Sequence, residues 1–261
     1  MSKILITREK NVLNVKLNRP EVHNALDSEM LMELKAAFDE PKTDFSLRAL
    51  VLTSEGENFC AGADLDYMRS QVQFSLKENQ LEAQKLYSVF AAGYECPLPV
   101  LAYIKGKVMG GAIGLVAIAD CAVAEMNAEF CFSEVKLGLV PAVISPFVEQ
   151  KMNSSTFRDY MLSGQTFLAQ QARESHLVQF VGSESECRKE LDLRIKHYLM
   201  AGPEAVRTAK SLWIKLHQQP LTEEIKNFTT QIIAERRVSK EGQEGMNAFF
   251  ERRFPFWREE K

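Results

Sequence analysis

A short run without polar residues constrains the fold more than any other feature of the sequence. Residues 49–52 read Ala-Leu-Val-Leu, a pattern typical of a strand that is covered on both faces. Leu13, Val15 and Leu17 instead alternate with polar residues, which predicts a half-buried strand. A buried strand of this kind needs layers on both sides, and parallel sheets covered by helices provide them.

Further elements alternate between strand and helix up to about residue 150. The pattern predicts a helix capped by Asp27, a helix over 72–92, a strand over 100–104, a buried helix over 112–119 and a strand over 121–124. Such alternation predicts an α/β domain with parallel strand pairs. Beyond residue 150 the apolar spacing is mainly helical. We therefore expect an α/β core followed by a helical C-terminal region.

Composition and charge exclude several classes of protein. The 261 residues are 46% hydrophobic and 26% charged, with a net charge of −3, which is close to an average globular chain and unlike a disordered one or a nucleic-acid binder. No apolar run approaches the roughly 20 residues that span a bilayer. The first residues lead directly into strand-like sequence, and the five cysteines are odd in number and scattered. We expect a cytoplasmic protein with reduced thiols and no membrane or nucleic-acid partner.

The chain offers no support for a metal site or a nicotinamide cofactor. The four histidines stand apart from one another and from the cysteines, without the spacing that metal ligands show. No glycine-rich dinucleotide motif follows a strand. Chemistry in this protein is therefore expected to depend on the polypeptide itself, without metal.

Two loops of small residues each lie between a predicted strand and a helix. The first is residues 58–65, where the N–H of Ala63 could point at a ligand, and the second is residues 108–111, which end in Gly110 and Gly111. Two N–H groups that converge on one point form an oxyanion hole, in which each donor typically lowers a barrier by ~3 kcal/mol. Taken singly, each loop could equally be an ordinary tight turn.

One carboxylate stands in an apolar segment. Glu134 lies within residues 130–138, among Phe, Val and Leu. It could pair with Lys136 or cap a turn. Alternatively, apolar surroundings could raise its pKa towards neutrality and make it a general acid/base.

Together these features resemble the crotonase family, also called the enoyl-CoA hydratase/isomerase superfamily. Residues 18–26 resemble the first turn of that family, 60–65 its first oxyanion loop, 110–112 its second and 241–249 its C-terminal signature. The four segments occur in the order that the family shows, and the likeness spans nearly the whole chain.

The resemblance implies an α/β fold, with a core of ββα units in a spiral over residues 1–195 and a helical oligomerisation region over 196–261. It also implies a homotrimer or homohexamer. The substrate would be an acyl-CoA whose thioester oxygen accepts hydrogen bonds from Ala63 and Gly111, with Glu134 as the acid/base. Coenzyme A would be part of the substrate, and no other cofactor is implied. The residues expected to contact substrate or CoA are His23, Ala25, Ala61, Asp64, Leu65, Gly110 and Gly114.

One position departs from the family pattern. Hydratases of the family carry a glutamate in the helix after the glycine pair, and Gly114 stands there. Glu134 could serve both proton-transfer steps of a hydration, which is the function we expect. Residues 132–147 resemble a bacterial branch assigned as methylglutaconyl-CoA hydratases, which also lacks the first glutamate. The alternatives are a double-bond isomerase that uses Glu134 alone, another reaction of the family such as dehydration, decarboxylation or thioester hydrolysis, and a non-catalytic scaffold that binds acyl-CoA.

Overall fold

The computed structural model describes residues 2–258, and these residues form strands and helices in alternation, as expected. The strands are β1 (Ile4–Glu9), β2 (Val12–Leu17), β3 (Ala49–Ser54), β4 (Val100–Ile104), β5 (Lys107–Met109), β6 (Cys121–Glu125), β7 (Glu129–Cys131), β8 (Phe167–Leu168) and β9 (Phe180–Gly182). The α-helices are α1 (Ser28–Asp39), α2 (Leu65–Gln71), α3 (Leu76–Tyr94), α4 (Ala112–Ala117), α5 (Ser145–Lys151), α6 (Ser154–Ser163), α7 (Ala169–Glu174), α8 (Glu184–Met200), α9 (Pro203–Leu216), α10 (Glu223–Val238) and α11 (Lys240–Phe250).

Two sheets organise the core. The larger has the strand order β1-β2-β3-β4-β6-β9, in which only the β1/β2 pair is antiparallel. The smaller has the order β5-β7-β8, with β5 parallel and β8 antiparallel to β7. The two loops of small residues follow β3 and β5, which belong to different sheets, and an isolated parallel bridge between Cys60 and Val108 joins them.

The central strand β3 is buried on both faces, which confirms the interpretation of residues 49–52. Leu50 and Leu52 point into a large core that also contains residues of α1, α3 and α4. Ala49 and Val51 point the other way, into a smaller core with Cys187 and Leu191 of α8. Helices therefore cover both faces of the sheet, and polar residues in β3 would have no access to water.

One prediction about secondary structure was partly wrong, and the mainly helical sequence after residue 150 contains two short strands that were not predicted. The helix expected over 72–92 begins at Leu76, because the Ser75 side chain accepts from Glu78 N and the Glu78 carboxylate accepts from Ser75 N. A separate helix, α2, precedes it. After residue 150, β8 and β9 interrupt the helical sequence, but they have only two and three residues and are too short for a periodic signal.

The division expected after residue 195 falls inside α8, and it stays a prediction. Met1 of the expected core and residues 259–261 of the expected C-terminal region lie outside the described residues. All five cysteines are buried and unpaired. Within residues 2–258 there is no helix that is both long and apolar enough to cross a membrane.

Helix α1 offers a matched test of the packing. Leu34 is fully buried, whereas Met32 on the same helix is 63% exposed. Replacing Leu34 with Ala should lower the free energy of unfolding by about 3 kcal/mol through lost burial and a residual cavity. Met32→Ala should change it by no more than about 0.5 kcal/mol. Denaturant unfolding followed by circular dichroism measures both, and equal losses would contradict this assignment of the core.

Candidate active site

The first loop is held by main-chain bonds to Leu26. Leu26 N donates to Gly62 O at 2.7 Å and Asp64 N donates to Leu26 O at 2.9 Å, which makes a parallel bridge between Leu26 and Ala63. In such a bridge the residue between the two bonded ones turns its own N–H away from the partner segment. Within residues 2–258, Ala63 N has no hydrogen-bond acceptor, so this amide is available to a ligand.

Two polar side chains fix the segment that carries Leu26. Asn24 is fully buried; its amide donates to Glu55 O and Asn58 O, both at 2.9 Å, and its oxygen accepts from Arg19 N at 2.8 Å. The Arg19 guanidinium donates to Ala25 O at 2.6 Å and to the Asp64 carboxylate at 2.9 Å. These bonds join residues 18–26 to the first loop.

The second loop lies directly beside the first. Cys60 N donates to Lys107 O at 3.0 Å and Met109 N donates to Cys60 O at 3.1 Å. Gly62 has φ +95°, and a Cβ there would lie 2.8 Å from Met109 O. Only glycine combines this left-handed backbone with so close an approach.

The amide of Gly111 is also available. The neighbouring Gly110 N donates to Cys131 O at 2.9 Å, whereas Gly111 N has no acceptor in the part of the chain that the structure describes. Gly111 is the residue immediately before α4, where amides lack intrahelical partners. A Cβ on Gly111 would lie 4.0 Å from Leu26 Cδ1. The two unbonded amides therefore belong to residues that both adjoin Leu26.

Glu134 lies against the second loop. It belongs to a 3-10 turn, Ser133–Leu137, that ends at Gly138 in the left-handed conformation. A Cβ on Gly110 would be 3.1 Å from Glu134 Oε1. Oε2 is buried without a hydrogen-bond partner among the described residues, and burial raises the pKa of this carboxyl group above its ordinary value. A carboxyl group held in this way is suited to proton transfer.

The pairing of Glu134 with Lys136 does not form. Lys136 Nζ lies 3.7 Å from Cys131 Sγ, and no salt bridge joins it to Glu134 among residues 2–258. Of the two structural alternatives for this carboxylate, the ion pair with Lys136 is therefore absent from the described residues.

Gly114 is enclosed by apolar side chains. A Cβ on Gly114 would lie 2.6 Å from Ile144 Cγ2 and 2.7 Å from Phe90 Cε1. The volume that a side chain at 114 would occupy is therefore filled by Ile144 and Phe90. Contact between Gly114 and substrate stays a prediction.

The other expected contacts are brought to one place. Ala61 N donates to His23 O at 2.9 Å, and His23 is exposed beside it. Leu65 is 76% exposed. The Asp64 carboxylate is already used, since it accepts from Asp66 N and Tyr67 N at the start of α2 as well as from Arg19. Asp64 thus anchors the loop through its side chain.

Comparison with known proteins shows the family to which the chain belongs. A model of the family described as enoyl-CoA hydratase/isomerase matches residues 7–260. The chain belongs to the enoyl-CoA hydratase/isomerase family. It is 30% identical over 247 residues to a putative enoyl-CoA hydratase of Thermus thermophilus, covering 94% of this chain and 96% of that one. It is 29% identical over 265 residues to the 2,3-dehydroadipyl-CoA hydratase of Escherichia coli, covering 98% of each.

The fold agrees as well. A crystal structure of an enoyl-CoA hydratase from Shewanella pealeana superposes with a TM-score of 0.94 at 35% identity, over 98% of this chain and 96% of that chain. The expected crotonase-type α/β fold is thus confirmed, including the helices that follow the core.

Sequence reasoning missed the residues that position the loops of this family member. Arg19 and Asn24 lie in the segment that carried the resemblance, but their side-chain bonds join positions up to 45 residues apart. The sequence carries no local signal for this role, because the burial of Asn24 and its bonds to residues 55 and 58 arise from tertiary packing.

The two glycines at the start of α4 provide a matched test. Gly114→Ala should cost about 1–3 kcal/mol of unfolding free energy through overpacking against Ile144 and Phe90. Gly111→Ala should be close to neutral, since its φ is −52° and only Leu26 Cδ1 comes near. Thermal and denaturant unfolding of both variants check this, and a neutral Gly114→Ala would show that the space is not filled.

Proposed function

We propose that this chain is a hydro-lyase that adds water across the C2=C3 double bond of an enoyl-CoA thioester. The observation that carries the proposal is the placement of two unbonded amides, Ala63 N and Gly111 N, around Leu26, with the buried, unpartnered carboxyl group of Glu134 beside Gly110. Named enoyl-CoA hydratases among the relatives support the same reaction.

The two amides would bind the thioester oxygen. When water adds at C3, the electrons of the double bond move towards that oxygen, and an enolate forms. Fixed N–H donors stabilise this developing charge more than they stabilise the neutral thioester, so the barrier falls. Because the Leu26 and Cys131 bonds hold both loops before substrate arrives, little reorganisation is needed.

Glu134 would carry out both proton transfers. As a carboxylate it accepts a proton from the attacking water, whose oxygen bonds to C3. As the acid that results, it delivers that proton to C2 and returns to the carboxylate form. The net reaction adds one water molecule to the double bond, and Glu134 ends in the form in which it began. No carboxylate is available from position 114, where Ile144 and Phe90 occupy the space.

That same observation favours one second candidate, an isomerase. A single carboxylate can take a proton from C4 and return it at C2, which moves the double bond without water. Removal of the C4 proton gives a dienolate, and the oxyanion hole would stabilise the charge on its thioester oxygen. The filled space at Gly114 is the feature that favours this reaction, while the naming of the relatives favours hydration.

The acyl group and the CoA contacts complete the proposal. We infer a methylglutaconyl-CoA-like substrate from the likeness of residues 132–147, and no resident cofactor beyond the CoA of the substrate. Main-chain groups near His23, Ala25, Ala61, Asp64 and Leu65 would hold CoA, and Gly110 would contact the acyl part. Comparing kcat/KM for methylglutaconyl-CoA, 2,3-dehydroadipyl-CoA and crotonyl-CoA tests the choice of acyl group.

We also propose a homotrimer or a homohexamer built from it, through the C-terminal helices. Apolar side chains are exposed there: Val238 by 78%, Phe249 by 78% and Phe250 by 76%. The rings of Phe249 and Phe250 are 5.8 Å apart, and exposed apolar surface is typical of interfaces. Sedimentation velocity measures the number of chains.

The decisive assay follows the absorbance of the conjugated thioester with EDTA present. A 2-enoyl-CoA should lose its conjugation, and Glu134→Gln should lower kcat by about a hundred- to ten-thousandfold, because the amide cannot accept a proton. The matched control is Glu129→Gln on the exposed end of β7, which should keep full activity.

Other outcomes of that assay are equally clear. Conjugation that appears from a 3-enoyl-CoA, without loss from a 2-enoyl-CoA, would establish the isomerase instead. No change with either substrate would favour a scaffold that only binds acyl-CoA. Full activity in Glu134→Gln would refute the assignment of the base.

The pH profile tests the environment of Glu134. The first step needs the carboxylate, so kcat/KM should fall as pH decreases through the pKa of Glu134. Because burial raises that pKa, the acid limb should lie above the ordinary glutamate value of 4.5. An acid limb at or below 4.5, or one that persists unchanged in Glu134→Gln, would contradict the proposed environment.

A further inference from the structure

A second cavity lies at the other end of α4. Its volume is about 440 Å³, and it is lined by the end of α3, the α4–β6 connection, α5 and α9. Helix α4 has six residues, so its two ends are about 9 Å apart. Ala63, Gly111 and Glu134 do not line this cavity. It is therefore separate from the site that the two loops form.

A lysine without a carboxylate partner projects into the wall of this cavity. Lys151 Nζ donates to Val116 O at 2.8 Å and to Ala119 O at 2.6 Å, which are carbonyls at the end of α4. An ammonium group has three donors, and the third has no acceptor in the described part of the chain. No carboxylate of residues 2–258 forms a salt bridge with Lys151.

The nearby acid is already neutralised. The Asp120 carboxylate accepts from Lys210 Nζ at 2.6 Å and from Val100 N at 2.7 Å. Lys210 thus pairs with this carboxylate and Lys151 does not, and Tyr94 and His176 are the other titratable groups of the described residues that line the cavity. With Lys151 protonated, the cavity carries an excess positive charge. A bound anion would offset it.

The other walls are aromatic. The rings of Tyr94 and Phe147 are 5.8 Å apart, and those of Tyr94 and Trp213 are 6.2 Å apart. Trp213 is 49% exposed at the margin. An apolar wall with a few convergent polar groups, in a volume of several hundred Å³, is the usual character of a small-molecule site.

We propose that this cavity binds a small carboxylate with an apolar body, with its carboxylate on the Lys151 ammonium and its body against Phe147 and Trp213. The third N–H of Lys151 supplies a charge-assisted hydrogen bond. The inference does not depend on the reaction at the two loops, since it uses none of their residues.

Hexanoate is a suitable probe, and Trp213 reports on it. The chain has two tryptophans, so a Trp257→Phe background leaves only Trp213 fluorescent. Titration in saturating coenzyme A, which occupies the acyl-CoA site, should give a saturable change with hexanoate. Hexan-1-ol has the same apolar body without the charge, and its affinity should be lower than that of hexanoate by a factor of about ten. Lys151→Met should weaken hexanoate by a similar factor, about tenfold, and leave hexan-1-ol unchanged.

The dependence on pH needs no variant at residue 151. Burial lowers the pKa of Lys151 to about 8, opposed by Asp120 and Cys121 and reinforced by Lys210. Hexanoate should therefore bind more weakly at pH 9 than at pH 7, because the ammonium is lost. Absence of saturable binding, equal binding of hexan-1-ol, or an affinity that does not fall between pH 7 and pH 9 would overturn the proposal.

Discussion

The pair of main-chain bonds between Leu26 and the first loop is the constraint on which the rest of the site depends. By bonding Gly62 O and Asp64 N, Leu26 uses the groups on either side of Ala63 and leaves the amide of Ala63 unbonded. An amide without a protein acceptor costs free energy only where water cannot reach it. A ligand oxygen that replaces water there therefore gains a donor that is already oriented.

Burial, more than hydrogen bonding, determines the protonation behaviour of the carboxyl group at this site. One oxygen of the Glu134 carboxyl group is buried without a hydrogen-bond partner among residues 2–258, and burial favours the protonated form of this group. An acid of moderate strength can both take and return a proton, which a strongly paired carboxylate cannot do well. In the proposed mechanism Glu134 makes both proton transfers, which two carboxylates would otherwise share. Ile144 and Phe90 occupy the space that a second carboxylate at position 114 would need.

The sequence was sufficient for the parts of this molecule that depend on local pattern. The doubly buried strand at 49–52, the strand-to-helix loops and the isolated Glu134 were all visible as residue types at fixed spacing. The break between α2 and α3 depends on a capping box at Ser75, which a periodicity analysis overlooks. The neighbours of Gly114 come from residues 90 and 144, and the bonds of Asn24 reach residues 55 and 58. Such contacts follow from tertiary packing, and no local pattern contains them.

A crystal structure of the protein with an unreactive thioester analogue of an enoyl-CoA would test the central claim most directly. The account predicts a thioester oxygen within about 3 Å of both Ala63 N and Gly111 N, with the Glu134 carboxylate facing C2 and C3 of the acyl group. A thioester oxygen bound elsewhere, or Glu134 turned away from the acyl carbons, would contradict it.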